Sequence, residues 1–312
     1  VVAVVSVFTA WQILAVAQAR ALAEGAPEEA LLWRPEDPRA LGHLAERTFT
    51  DAVSGGRPVA QARDDARAAL RASPLEVRAL RVLGWVADDA GDDRRALRLM
   101  SLAASRSQRD VSSHLWMFHN RLGARDYNAA FAHADALMRH GGTLRETAVL
   151  MASAAGADDA AAAALTRRLQ TGPVWRGTFV RELAASQDPD VTLSILLAVK
   201  EAGATIQPEE SSALANRLFR VGRPREAYLA WVLLLPPAGY DVLDNVYDGG
   251  FEGPEAAGPF AWTLPRRGAA IGAAPGRGGR VLVAEAGAGK AQVLARQMMV
   301  LTPGVYRMSV ES

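Results

Sequence analysis

The chain has 312 residues and no cysteine, which leaves room for two domains and a large core but excludes disulfides, thiolate nucleophiles and cysteine-bound zinc. Its 35 basic and 34 acidic residues leave a net charge of +1, so there is no global electrostatic case for nucleic acid or an anionic membrane as partner. Lys200 and Lys290 are its lysines, and the rest of the positive charge is arginine, which suits bidentate contacts but also follows from a GC-rich coding bias.

In chain order, residues Val1 to Ala19 carry no charge, and Arg20 is the first. Nineteen residues at about 1.5 Å each span about 28 Å, close to the roughly 30 Å of a hydrocarbon core. The favoured reading is a membrane helix over residues 1–24; a signal-peptide core and a buried first helix are the competing ones. Glu28 to Arg34 is a short amphipathic helix closed by Pro35. Pro38 then opens a helix over Arg39 to Val53, and Pro58 and Pro74 open the next two. Further helices are predicted at 92–106, 109–122, 126–140, 143–155, 157–170, 174–187, 189–203, 208–221 and 224–235. Their separators are Gly141-Gly142, Gly156, Gly172-Pro173, Asp188-Pro189, Gly203 and Gly222.

The stretch from Val77 to Leu144 repeats with a period of thirty-four residues: Asp92 falls on Asp126, Ala96 on Ala130, Leu97 on Phe131, and Leu70 on Ala104 and then Met138. A period in this range marks stacked helical hairpins. Leu80, Leu83-Gly84, Ala87, Gly91-Asp92, Ala96, Met100 and Ala103 sit at the offsets of the tetratricopeptide (TPR) pattern, which this stretch resembles. The physics agrees: Gly84 permits close helix approach, Gly91 accepts a left-handed helix end, and Asp92 is an N-cap. Weaker copies run from His43 to Glu76, with Ala62, Ala66 and Ala69-Leu70, and from Pro208, with Leu214, Gly222, Glu226-Ala227 and Trp231; Phe118 replaces the recurring Gly84. The expected fold is mainly α: a solenoid over 28–237 after the membrane helix.

Pro236-Pro237 ends the helical pattern. Strands are predicted at Val242–Tyr247, Phe260–Leu264, Arg280–Glu285, Gln292–Val300 and Val305–Glu311. Asp244 to Glu252, Phe260-Ala261-Trp262 and the run Gln297 to Ser309, with Pro303-Gly304-Val305-Tyr306, resemble galactose-binding-like and carbohydrate-binding β-sandwich modules. The resemblance implies an incomplete sandwich over 242–312, in which Trp262 and Tyr306 would stack on a sugar and Glu252 would sit at a structural calcium position.

Enzyme signals are weak. Gly287-Ala288-Gly289-Lys290 fails the phosphate-loop pattern at Ala284 and Ala291. His114, His119, His133 and His140 lack i,i+4 spacing and a glutamate partner, so they read as solvated or core-edge residues. Adjacent carboxylates such as Asp92-Asp93 and Asp158-Asp159 diverge by about 100° on a helix and read as N-caps. No enzyme and no cofactor are expected.

Arg78, Arg81, Trp85 and Asp88 are spaced three, four and three apart, hence on one helix face. By the TPR resemblance they line the concave surface, where two guanidiniums beside an indole would hold an extended peptide or an acidic C-terminus. The bland alternative is a solvated arginine stripe with Trp85 tucked between helices. The layout is similar to bacterial envelope proteins. The expectation is therefore a non-catalytic scaffold anchored in the inner membrane with its soluble part periplasmic, binding a protein or peptide. The alternative is a glycan-binding accessory protein of polysaccharide synthesis or export.

Overall fold

The computed structural model describes residues 2–140, 144–264, 269–273, 279–284 and 293–309. The Gly-Ala-Gly-Lys stretch at 287–290 and the predicted strand residues 285, 292 and 310–311 lie outside them. The fold is mainly α, and the chain divides into two compact units, Val1–Gly142 and Thr143–Ser312.

The first unit is a run of antiparallel hairpins. After α1 (Val2–Leu22) and α2 (Pro27–Trp33) come α3 (Pro38–Ser54) with α4 (Ala60–Ala72), α5 (Val77–Asp89) with α6 (Asp93–Arg106), and α7 (Val111–Gly123) with α8 (Tyr127–His140). α3 also packs on α5, and the second helix of each hairpin packs on the first helix of the next, as in a stacked helical repeat. Small residues allow this: Ala45, Ala62, Ala66, Ala69 and Ala79 are fully buried at one such crossing with Val82. A Cβ added to Gly84 would sit 3.0 Å from the Met100 side chain, so α6 lies too close for a larger residue.

Helix ends follow the sequence signals. Gly91 takes φ +71° after α5, and the Asp92 carboxylate accepts from the Arg95 amide at 3.1 Å to start α6. One repeat later Arg125 holds the same left-handed conformation, at φ +56°. Asp37, Asp110, Asp158 and Asp188 cap their helices in the same way as Asp92.

The second unit alternates its helices between two layers. α9 (Leu144–Ala157), α11 (Arg176–Ser186) and α13 (Pro208–Arg220) pack in succession on one side. α10 (Asp159–Gln170), α12 (Pro189–Glu201) and α14 (Pro224–Leu234) do so on the other. After the single turn of α15 (Pro237–Tyr240), the only strands among the described residues are β1 (Ala269–Ala273) and β2 (Arg280–Ala284). They are antiparallel, with Ile271 opposite Leu282.

The predicted sandwich is therefore corrected: β2 coincides with one predicted strand, β1 falls on none, and Thr263 and Arg296 make an isolated bridge. Val242–Tyr247 is a set of turns, and residues 305–309 form no strand. The reason is visible in the packing. Tyr247 and Phe260 bury their rings against Trp231 of α14, with centroids 4.9 and 5.8 Å away, and the Trp231 indole N–H donates to the Ala257 carbonyl at 2.9 Å. These aromatic side chains seal the last helical hairpin, and positive φ at Asp248 and Phe251 breaks the extended backbone between them.

Candidate functional site

The stripe on α5 does share one face, as its spacing requires, but its members have different surroundings. Arg81 is 5% exposed and forks between Glu46 of α3, at 2.5 Å, and Asp110, the N-cap of α7. Its guanidinium lies 5.2 Å over the Trp85 ring, and Trp85 stacks on Phe49 of α3 at 5.2 Å. Asp88 accepts from the Trp116 indole of α7 at 3.1 Å. Arg81, Trp85 and Asp88 thus tie α5 to its neighbours in the stack; the half-buried Arg78, 3.5 Å from Glu46, and the exposed Asp88 are the members that reach solvent. Burial pushes the Arg81 guanidinium below its ordinary range, with Glu46 opposing.

Arg78 lines a hollow of about 460 Å³ together with Arg20 and Glu24 near the end of α1, Arg39 and His43 of α3, and Arg109 before α7. The exposed side chains of Arg20, Arg39 and Arg109 make no hydrogen bond or ion pair with any described residue. Glu76, at the N-terminus of α5, is raised by burial although its carboxylate caps Arg78. His43 is lowered, first by burial and then by the Arg78 charge, so it is neutral at pH 7. The same lining holds the carboxylates of Glu24, of Glu76, which feels the Arg39 charge, and of Asp110, which Arg81 holds; the arginines outnumber them, and guanidinium donors without a hydrogen bond can take an anionic group bidentately. Sequence spacing singled out α5 but missed Arg20, Arg39 and Arg109, which are brought together only by stacking.

Two of the four clustered histidines meet. His114 Nδ1 and His133 Nδ1 are 3.0 Å apart across the α7–α8 hairpin, so one ring donates and the other accepts. Burial lowers both, His133 to about 4. His140 points elsewhere, its Nε2 3.0 Å from the Gln108 carbonyl. Among the described residues no three His, Asp or Glu side chains gather to hold a metal. The i,i+4 test could not find the His pair, because its members belong to facing helices.

Trp262 donates its indole N–H to the Asp248 carbonyl at 3.0 Å and packs on Phe251 at 5.3 Å. Tyr306 is half exposed and its hydroxyl donates to the Thr302 carbonyl at 2.5 Å. Neither lines the hollow of about 220 Å³ formed nearby by Tyr228, Asn245, Tyr247, Phe260 and Met298. Glu252 accepts from the Arg280 amide and so anchors the start of β2.

No family model matches this chain, and no curated protein does.

Proposed function

We propose that this chain is a non-catalytic scaffold, held to a membrane by its N-terminal helix, that binds a protein or peptide partner on the first-helix face of its N-terminal hairpins. The observation that carries this reading is the set of unpartnered guanidiniums of Arg20, Arg39 and Arg109 around one hollow, beside Arg78. Charged donors that a stack of this kind does not use internally are available to a ligand, and their geometry suits carboxylates. The TPR-like offsets support an extended segment as the ligand. In the α1 stretch Val4–Leu22 is long and apolar enough to cross a membrane. Assignment to the bacterial inner membrane, with the stack on the periplasmic side, rests on the resemblance to envelope proteins.

The test is a pull-down from solubilised membranes with Arg39→Glu and Arg109→Glu together. Loss of a partner held by the unaltered protein, with unchanged thermal stability, supports the reading. An unchanged set of captured proteins contradicts it.

The second reading is a polysaccharide-binding accessory protein, favoured by the aromatic lining of the C-terminal hollow at Tyr228, Tyr247 and Phe260. Soluble glycans should shift tryptophan emission in the unaltered protein, and a flat response across a varied panel ends this reading.

A further inference from the structure

α1 changes character along its length. Ala15, Ala19 and Ala23, four residues apart and so on one face, are buried, and Ala23 clusters with Ala30 of α2 and Ala40 of α3. α2 packs back along this half, bringing Trp33 to Trp11 with ring centroids 5.7 Å apart. Beyond that pair no described residue covers the helix: every residue from Val4 to Trp11 is exposed, Phe8 to 61%. Leu32, next to Trp33, is 84% exposed.

A bilayer centred on the whole apolar stretch would have to take α2 in with it. The first turn of α2 carries Glu28 and Glu29, and Glu28 pairs with Arg47 of α3. Drawing these charges toward hydrocarbon is costly, since a charge is held there only when it is paired or reaches the interface. The tryptophan pair, by contrast, is what a membrane–water boundary selects, an amphipathic ring with one end in each phase.

We propose that the lipid boundary crosses α1 at Trp11 rather than at Arg20. The Trp11–Trp33 pair lies in the headgroup layer and Leu32 enters the acyl region beside it. The turns from Ala15 to Leu22 stand outside the bilayer as the first helix of the stack. Val4 to Trp11 then presents about 12 Å of apolar helix to lipid, a segment that enters one leaflet and is too short by itself to cross the roughly 30 Å core. This rests on the membrane reading above, and it moves the arginine hollow clear of the hydrocarbon into water.

The absence of cysteine makes the test direct. Single substitutions Val5→Cys, Leu32→Cys and Ala17→Cys, all at exposed positions, are labelled with an environment-sensitive fluorophore. The full chain is then reconstituted in phosphatidylcholine vesicles containing phosphatidylglycerol. Labels at positions 5 and 32 should shift to the blue and lose quenching by aqueous iodide, while the label at 17 stays quenched. Shielding at 17 equal to or above that at 5 overturns the placement in favour of a span through Leu22. Shielding at 5 and 32 without vesicles overturns it in favour of a second copy on this face. No shielding anywhere overturns the membrane reading itself.

Discussion

Arg176 and Glu210, thirty-four residues apart, form an ion pair of 2.7 Å with both side chains sealed from water. The pair joins α11 to the start of α13. Arg176 also donates to the Leu169 and Thr205 carbonyls, and Glu210 accepts from the Gln207 amide in a capping box. Removing one partner leaves a buried charge without compensation. Glu210→Ala should lower unfolding free energy by about 3–5 kcal/mol, while Arg176→Met with Glu210→Leu should lose much less. Urea denaturation of the three proteins checks this; a Glu210→Ala loss below about 1 kcal/mol contradicts it.

The same logic separates two arginines on α5. Arg81, held by Glu46 and Asp110, is part of the stack, and Arg81→Ala should destabilise by about 3–5 kcal/mol. Arg78, open to the hollow, should tolerate Arg78→Ala within about 0.5 kcal/mol. Thermal unfolding of both variants would show the contrast, and of the two only Arg78→Ala should weaken partner capture without a loss of stability.

The histidine pair gives a pH dependence with a definite sign. His133 is lowered to about 4 when folded, so the unfolded chain, with its ordinary value near 6.5, binds the extra proton. The pair's contribution is complete above about 6.5 and is lost as pH falls from there to about 4. His114 is shifted in the same direction. At 1.36 kcal/mol per pKa unit the upper bound is on the order of 3 kcal/mol, and solvent screening of the half-buried ring brings the loss below it. Carboxylates titrate at the lower end of this window, so the measurement is the difference between the unaltered protein and His133→Asn. That difference should shrink as the pH falls from 6.5 to 4.

One substitution should act with opposite signs at two glycines. Gly91 sits at φ +71° with open space where a Cβ would lie, so Gly91→Ala should cost about 1–2 kcal/mol through backbone strain alone. Gly156, in α9, has equally open space and no positive φ. Gly156→Ala should therefore stabilise by about 0.4–1 kcal/mol, because it restricts the unfolded chain. Melting temperatures of the two variants on either side of the parent would confirm it.

Much of the architecture was legible in the sequence because its signals are local. Pro38, Pro189, Pro208 and Pro224 stand at helix starts, Gly91, Gly172, Gly203 and Gly222 take positive φ at helix ends, and Asp92 caps α6. The C-terminal segment misled for the opposite reason. Its alternation of apolar residues reads as strand, but Tyr247 and Phe260 find a better partner in Trp231 than in a neighbouring strand. Period-two spacing records that side chains alternate, not what covers them.

The sequence by itself determined where helices begin and end and that they recur as hairpins, since capping, backbone freedom and apolar spacing act within a few residues of chain. Only the tertiary structure decided which charges are used and which are left over. Arg81 and Arg78 are three residues apart on one helix face, yet one is locked between two carboxylates and the other opens into a hollow. Glu46 pairs with both, so the difference comes from Asp110, roughly one repeat further on, and from the depth at which Arg81 is buried, because a side chain's electrostatic partners are chosen by stacking across the fold rather than by neighbours along the chain.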